Sequence, residues 1–266
     1  MSDPTPARTQ AERADQTRTR ILEAAIHQFS QNGLAGARTE QIAEAAGVNK
    51  ALLYYYFKSK QDLYQAALEW MAERVAAGHW EQLKNAGSPG ECFLIFVLSH
   101  FDRMHSQRDF QSLMQQEMVR LHRGEPHALS PIIERVFRPG LRRMFEVLEE
   151  GIAAGELIAV DPRQIYYSTL GANVFYFLSA PLFRLLGEGN PVEHAALVQR
   201  RIRAIEFLGQ SLFVDREHGA QVAARVLAAV PMPADGGHAP RTIPEFRKKN
   251  NKHAAQNDST GSEDVR

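Results

Sequence analysis

Apolar residues recur at intervals of three and four along most of this chain, which is the spacing of one face of an α-helix. The first such face comprises Ile21, Leu22, Ala25, Ile26 and Phe29. Asn32 and Gly33 follow it and predict its end. Alternating strand patterns are nearly absent, and the one short apolar run, residues 157–160, favours a loop over a strand. The pattern predicts an all-α protein of about nine or ten helices.

Helix-breaking segments rich in glycine and proline divide the chain at residues 85–90, 122–127, 159–162 and 187–191. The domains we expect are a flexible N-terminal arm at 1–15, a first domain at 16–77, a second helical domain at 78–230 and a disordered tail at 231–266. The tail lacks the apolar residues that would offset the entropy of ordering it. Within the second domain, Pro139 predicts a kink near Arg138, and the amphipathic stretch EHGAQVAARVLAAV predicts a last helix after Phe213.

Residues 39–64, TEQIAEAAGVNKALLYYYFKSKQDLY, fit two short helices around a tight turn and then a third, longer helix. Gly47 supplies the turn, because a residue without a Cβ adopts positive φ at no cost. Asn49 can cap the second helix, and Ser59 with Asp62 can cap the third. Two short helices around a glycine turn form a helix-turn-helix, the unit that places its second helix in the DNA major groove.

This stretch resembles the signature of the TetR family of transcriptional regulators. The matching positions are Gly47, Val48, Leu53, Tyr54, Phe57, Ser59, Lys60 and Leu63. The chain departs from the family pattern at Asn49, where serine is usual, and at Leu52, where a small or hydroxyl residue is common. Asparagine still caps a helix, whereas Leu52 can change the base that is read. The resemblance implies a three-helix DNA-binding domain, followed by a helical domain for effector binding and dimerisation.

If the family's docking mode applies, exposed side chains at the start of the second short helix enter the major groove. Lys50 can donate to guanine or phosphate, and Leu52 can contact a thymine methyl group. The residues that resemble phosphate contacts of the family are Thr39, Tyr55 and Lys60. The full set of expected DNA-binding residues is Arg38, Thr39, Asn49, Lys50, Ala51, Leu52, Tyr54, Tyr55 and Lys60.

The resemblance also implies a homodimer, because helix-turn-helix proteins of this type read twofold-symmetric DNA sites. The helix near residues 192–213 carries small and apolar residues at alternating spacings of three and four, which is a helix-pairing pattern. This predicted dimer stripe comprises Ala195, Val198, Ile202, Ile205, Gly209 and Leu212. The alternative is that the stripe covers the protein's own core.

Polar residues interrupt apolar helix faces in the second domain, where they are costly unless they find partners. The family commonly encloses a small-molecule pocket in this region, and aromatic and methionine walls suit a partly apolar effector. The candidate pocket residues are His100, Met104, Met114, Glu117, Tyr166, Asn173 and Phe177. Alternatively, each polar residue is a satisfied core residue, or His100 pairs with Glu117. By helical spacing, Arg103 and Arg120 are expected to point into solvent.

Charge and composition narrow the function classes. Lys+Arg and Asp+Glu both number 31 among 266 residues, so DNA contact depends on local rather than global positive charge. The single cysteine, Cys92, fits a reducing cytoplasm and a buried structural thiol. No catalytic sequence motif occurs, and His100 and His105 are spaced to diverge on a helix. We therefore expect no catalytic residue, no metal site and no cofactor.

The chain has no segment that resembles a signal peptide and no apolar run long enough to span a bilayer. We expect a cytoplasmic protein with no membrane partner. The predicted function is a repressor that binds a palindromic operator as a homodimer and is released by an unknown small-molecule effector. One alternative is the same DNA-binding module under the control of a protein partner, and another is an enzyme.

Overall fold

The computed structural model describes residues 9–233, apart from the side chains of residues 79–82. Its helices are α1 (Gln10–Gly36), α2 (Thr39–Ala45), α3 (Lys50–Tyr56), α4 (Lys60–Leu83), α5 (Pro89–Ser106), α6 (Arg108–His122), α7 (Leu129–Ile132), α8 (Arg138–Ala153), α9 (Pro162–Leu185), α10 (His194–Leu212) and α11 (Arg216–Ala229). A π-helix, Ile133–Phe137, joins α7 to α8, so the described residues form ten separate helical segments. Between helices they contain an isolated antiparallel bridge from Leu157 to Phe213. The all-α prediction is confirmed.

Both ends of α1 differ from the prediction. The expected flexible arm is wrong for residues 10–15, because α1 begins at Gln10. The Glu12 amide donates to Thr9 Oγ1 at 3.2 Å, and the Thr9 amide donates to Glu12 Oε2 at 2.8 Å. This reciprocal capping box satisfies N–H groups that a helix start otherwise leaves unpaired. At the other end, Gly33 kinks α1 with a φ of 67°, but the helix continues to Gly36.

The irregularity expected at Pro139 is present as the π-helix immediately before it. Proline has no amide hydrogen, so it cannot donate to the carbonyl of Arg135. In the preceding turn, the amide of Arg138 donates to the carbonyl of Ile133, five residues back, and the helix widens there. Pro139 then occupies the first turn of α8, where a missing amide hydrogen costs little.

The first of two hydrophobic cores is formed by α1 to α4 together with α6 and α7. Its fully buried large side chains include Ile21, Leu22, Phe29, Ile42, Leu53, Leu63, Leu68, Leu113 and Leu129. Helix α4 packs against α1 within this core and also contacts α5, α6 and α7. Any change in the tilt of α4 relative to α5 and α6 would therefore move the helix-turn-helix.

The second core surrounds α5, whose Phe93, Leu94 and Leu98 are buried against α8, α9, α10 and α11. Helix α11 lies so close to α10 that a Cβ on Gly209 would lie 2.5 Å from the Gly219 carbonyl oxygen. Helices α4 and α6 contact helices of both cores. The domain boundaries near residues 77 and 230 stay predictions. The predicted tail from residue 234 onward and the first eight residues lie outside the described residues.

A buried ion pair, which the sequence analysis did not predict, joins α5 to α10 in this second core. Arg201 on α10 donates from Nε and Nη2 to the two carboxylate oxygens of Asp102 on α5, at 2.9 and 3.0 Å. The same guanidinium donates to the carbonyl of Val230 at 2.6 Å, just after α11. A signal was available, since Arg201 stands four residues from both Leu197 and Ile205 on a buried helix face.

No helix among the described residues is both long enough and apolar enough to cross a membrane.

Candidate nucleic-acid interface

The helix-turn-helix is built as its sequence predicts. Gly47 adopts a φ of 64° in the turn between α2 and α3. Asn49 caps α3, because its Oδ1 accepts a hydrogen bond from the Leu52 amide at 2.7 Å. Leu53 and Phe57 are buried and hold α3 against the first core. With those two side chains turned inward, the opposite side of α3 faces solvent.

The exposed side of α3 presents a varied set of side chains, which we call the reading surface: Lys50, Ala51, Leu52, Tyr54 and Tyr55. Tyr55 is 81% exposed, although large aromatic side chains are usually well covered. The set offers an ammonium group, two phenol hydroxyls and apolar carbons. These groups can donate to guanine or phosphate oxygens and contact thymine methyl groups. Arg38, just before α2, is exposed as well.

Lys50 is held over the reading surface by two contacts. Its ammonium lies 2.5 Å from Glu40 Oε1 and 5.9 Å from the centre of the Tyr54 ring. The bond to Glu40 raises the pKa of Lys50 and lowers the pKa of the carboxyl group, so both stay charged at neutral pH. Such exposed ion pairs contribute little to stability. Lys50 can therefore leave Glu40 for a base or a phosphate.

Two of the expected phosphate contacts are engaged inside the protein. Thr39 is buried, and its Oγ1 lies 3.3 Å from the Tyr54 hydroxyl. Lys60 donates from Nζ to the carbonyls of Ala35 and Ala37, both at 3.1 Å, at the end of α1. The Thr39 contact joins the start of α2 to α3, and the two Lys60 bonds join the start of α4 to the end of α1. An ammonium group has a third hydrogen, so Lys60 keeps one donor for a phosphate.

Among the described residues, the seven candidate effector residues divide between the first core and the helices α5 and α9. Glu117 and Met114 pack in the first core, and Glu117 is fully buried there. Its carboxylate accepts hydrogen bonds from the Tyr64 hydroxyl at 2.8 Å, the Ala128 amide at 2.5 Å and Arg120 Nη1 at 3.2 Å. The alternative that Glu117 pairs with His100 is wrong, because its partners are Tyr64, Ala128 and Arg120. Arg120 therefore does not point into solvent. These partners fit the other alternative, a satisfied core residue, and a role of Glu117 in an effector pocket stays a prediction.

The other five candidates lie along α5 and α9. Asn173 is buried and donates from Nδ2 to the carbonyl of Val97 at 3.1 Å, and the same nitrogen lies 3.4 Å from His100 Nδ1. Met104 is buried, and the rings of Phe177 and Tyr166 pack against aromatic neighbours. Asn173 also borders a groove of about 430 Å³ between α9 and α10. That groove has a mostly apolar lining and includes Arg200.

Burial is the main reason that His100 stays neutral. Burial, together with the nearby positive charge of Arg103, lowers the pKa of His100 to about 3. Arg103 is half-buried rather than solvated, which corrects the sequence expectation, and burial lowers its pKa to about 10. A neutral imidazole can accept the amide hydrogen of Asn173 at Nδ1. This part of α5 and α9 therefore holds a polar, uncharged pair within apolar surroundings.

The predicted dimer stripe is wrong at two positions. Ile205 is 1% exposed, and Gly209 is buried under Gly219 of α11. Neither can contact a second subunit, because α5 and α11 of the same chain cover them. Ala195 is exposed, and Val198, Ile202 and Leu212 are half-buried. Gly209, whose small size was expected to allow a partner helix to approach closely, instead allows the close approach of α11.

A different surface is left uncovered on α9, whose sequence is apolar nearly all round, as expected of a helix that packs against its own subunit and a partner. Helix α9 exposes large apolar residues along its length, and α10 adds Phe207, which is 67% exposed. This α9 face comprises Tyr167, Val174, Phe175, Leu178, Leu182 and Leu185. The sequence signal was the nearly all-round apolar character of α9. Buried and exposed apolar positions alternate in that sequence, so the exposed ones could not be recognised without the neighbouring helices.

Together, the glycine turn, the capped recognition helix and its exposed side chains define a helix-turn-helix DNA-binding protein. The family model described as "Bacterial regulatory proteins, tetR family" matches residues 21–67, and the model described as "Tetracyclin repressor-like, C-terminal domain" matches residues 89–208. The two models together cover more than half of the chain. The chain therefore belongs to the TetR family of DNA-binding transcriptional regulators and is not an enzyme.

Individual relatives match in part. The transcriptional repressor NicS of Pseudomonas putida is 28% identical over 145 residues, which is 54% of this chain and 68% of NicS. The regulator RutR of Escherichia coli K12 is 54% identical over 57 residues, which is 20% of this chain and only 27% of RutR. The structure of the regulator FadR of Bacillus subtilis with stearoyl-CoA has a TM-score of 0.55 at 21% identity, over 71% of this chain and 96% of FadR. That likeness shows the shared fold.

The buried Glu117 cluster leads to a stability prediction. Glu117→Leu should lower the free energy of unfolding by about 3–5 kcal/mol, because a buried set of charged and polar partners loses its acceptor. Tyr64→Phe removes one donor and should cost about 1–2 kcal/mol. Urea denaturation of the purified variants measures both. Gln115→Leu, at an exposed position of the same helix, is the matched control and should change stability by less than about 0.5 kcal/mol. A Glu117→Leu protein as stable as the wild type would contradict this role.

The neutral state of His100 predicts a dependence of stability on pH. The pKa of His100 is about 3 in the folded protein and about 6.5 in an unfolded chain. Between those values the unfolded state binds the extra proton, so stability is complete above about pH 6.5 and falls as the pH decreases. Relative to His100→Gln, the wild type should lose up to about 1.4 kcal/mol per pH unit between about pH 6 and pH 5. Denaturation at several pH values tests this, with His122→Gln, at an exposed position, as the control. Parallel profiles for wild type and His100→Gln would rule it out.

Proposed function

We propose that this chain is a repressor that binds a palindromic DNA operator as a homodimer and is released by a small, partly apolar effector. The observation that carries the proposal is the reading surface of α3, whose side chains face outward because Leu53 and Phe57 are buried beneath it. A recognition helix held in this way inserts its first residues into the major groove. NicS, which matches this chain over 145 residues, is itself named a repressor.

In the groove, Lys50 would leave Glu40 and donate to guanine or to a phosphate. Ala51 and Leu52 would contact thymine methyl groups, and Tyr54 would reach a base edge or the sugar–phosphate backbone. Arg38, Tyr55 and the remaining Lys60 hydrogen would bind phosphates, which position the protein without selecting a sequence. Asn49 would support these contacts by fixing the start of α3 through its bond to the Leu52 amide.

The α9 face supports the proposed homodimer. Phe175, Leu178 and Leu185 are each at least 60% exposed in the single chain. Monomeric proteins rarely expose large contiguous apolar patches, and such patches commonly mark protein interfaces. A second copy that brings its own α9 and α10 against this face would bury it in an isologous interface, as twofold symmetry requires. Exposed Ala195 could contribute at the edge, and Ile205 and Gly209 would not.

The effector site we propose lies between α5 and α9, near Asn173 and His100. A neutral amide–imidazole pair among aromatic and methionine side chains suits a partly apolar molecule with one or two hydrogen-bonding groups. In support, FadR, which shares the fold, was solved with stearoyl-CoA bound. Helix α5 contacts α4, so a ligand that prefers one tilt of α4 would change DNA affinity. A coupling free energy of about 1–3 kcal/mol is enough.

The second candidate is control of DNA binding by a protein partner, and the exposed α9 face supports it. An apolar face of this kind would suit a different protein as well as a second copy. The two candidates differ in what covers the face in the purified protein. The oligomeric state therefore separates them.

DNA recognition is tested by in vitro selection from random duplex DNA at near-physiological salt. The full-length protein should enrich one palindromic site. Lys50→Ala should bind that site more weakly by about 1–3 kcal/mol and bind unrelated DNA almost as before, because it loses a base contact. Fluorescence anisotropy gives both affinities, and the selected site then serves as the probe in an effector screen. No enrichment by a folded protein would refute the function. Unchanged affinity and preference of Lys50→Ala would remove Lys50 from the reading surface.

The proposed interface is tested by a charge placed on the α9 face. Phe175→Asp should convert a dimer into monomers, because a dimer would bury two uncompensated carboxylates. Val119→Asp, at a half-exposed apolar position on α6, is the matched control and should leave the mass unchanged. Light scattering after size exclusion measures the mass of each protein. A wild-type monomer would favour the protein-partner alternative, and a Phe175→Asp dimer would place the interface elsewhere.

A further inference from the structure

Helix α1 begins well before its first buried residue. Ile21 is its first buried residue, yet the helix starts at Gln10. We call residues 10–20 the α1 extension; all of them are exposed or half-buried. The family model begins at residue 21 and does not include the extension. Helices gain most of their stability from packing, so a capped but uncovered segment of this length suggests a partner that is absent from the single chain.

The position of the extension relative to α3 follows from two arginines. The Arg18 guanidinium lies 5.7 Å from the centre of the Phe57 ring, at the end of α3. Arg20 Nη1 lies 3.6 Å from where a Cβ on Gly47 would be, just before the start of α3. Two residues on opposite sides of the same turn of α1 thus reach opposite ends of α3. Helix α1 therefore crosses over α3, and the extension projects beyond the crossing.

Dimensions place the extension over the DNA backbone. Packed helix axes are about 8–10 Å apart, and the major groove is about 8.5 Å deep and 12 Å wide. With α3 in the groove, α1 would lie near the height of the phosphate strands. Residues 10–17 project up to about 15 Å past the crossing at 1.5 Å per residue. Half the groove width is about 6 Å, so the extension passes above one phosphate strand.

The charges of the extension are arranged to match. Successive residues of a helix are about 100° apart around its axis. One side of α1 lies midway between Arg18 and Arg20, and it is also the side of Ile21. That side carries Thr17 and Gln10, and Arg13 lies about 60° away from it. Arg13 is exposed. The acidic residues Glu12 and Asp15 fall on the far side by the same spacing. Towards the DNA the extension thus offers a guanidinium and an amide group, and it keeps its carboxylates away.

We propose that the α1 extension is a second DNA-binding element, in which Arg13 binds backbone phosphate next to the groove that α3 enters. Gln10 adds a hydrogen bond, whereas the Thr17 hydroxyl stays within the helix, where it donates to the Arg13 carbonyl at 2.8 Å. These contacts are independent of base sequence, and they add affinity and fix the docking angle. The inference rests on the proposed DNA-binding mode, and it extends that mode to residues outside the helix-turn-helix.

The test compares the full-length wild type with Arg13→Ala on the selected operator at several salt concentrations. Each lost phosphate contact lowers the salt slope of log K by about 0.9, so a dimer that loses two contacts changes its slope by about 1.8. Between 50 and 200 mM salt, the affinity of Arg13→Ala should then fall about tenfold less than that of the wild type. Arg142→Ala, at an exposed position on α8, is the matched control and should keep the wild-type slope.

Phosphate ethylation locates the contact. In the wild type, ethylation of one phosphate in each half-site, beside the groove occupied by α3, should interfere with binding, and Arg13→Ala should lose that interference alone. An unchanged slope and an unchanged interference pattern in Arg13→Ala would overturn the inference. Failure of the wild type to bind any selected site would instead refute the proposed function, so the two failures are distinct. Circular dichroism of Arg13→Ala establishes that the variant is folded.

Discussion

The buried carboxylate of Glu117 is the constraint on which the arrangement of the DNA-binding helices depends. A charge without solvent contact must be met by donors, and here they come from Tyr64 on α4, Arg120 on α6 and the Ala128 amide before α7. The Tyr64 ring also packs edge-on against Phe29 of α1, with centroids 4.9 Å apart. One acidic group therefore sets how α1 and α4 sit on α6 and α7. The orientation of the recognition helix follows from it, because α4 begins only a few residues after α3 ends.

The same principle recurs in the second core, where Arg201 holds Asp102 and the end of α11. By drawing α11 against α10, this pair covers Gly209 and leaves α9 as the open apolar face. The proposed effector residues, His100 and Asn173, lie on α5 and α9, between that face and α4. In the proposed mechanism, Glu117 and the Asp102–Arg201 pair hold the helices in a fixed packing. A small displacement of α5 by a bound effector would therefore move α4.

The turn and the helix caps of the helix-turn-helix were predictable almost residue by residue. Gly47, Asn49 and Ser59 act on the backbone within three residues of themselves, and the structure uses Gly47 in the turn and the other two side chains as caps. The start of α1 is also set by neighbouring residues, because Thr9 and Glu12 form a capping box. The polar composition of residues 1–15 nevertheless favoured a flexible arm in the prediction. The effector and dimer residues were less predictable. Glu117 and His100 both interrupt apolar faces, yet their partners differ, because Glu117 binds Tyr64, Arg120 and the Ala128 amide while His100 lies beside Asn173.

Turns, caps and helix periodicity are decided by residues within about four positions of one another, and those features could be inferred from the chain alone. The partner of each helix face is decided by side chains far away in sequence. The stripe on α10 has the spacing that suits any helix, and only the folded chain assigns it to α11, through Gly209 and Gly219. The partners of Glu117 range from 3 to 53 positions away, and Asp102 meets Arg201 across 99 positions. Such pairings leave no periodic trace, because buried charges are compensated wherever the packing of the helices brings a donor to an acceptor.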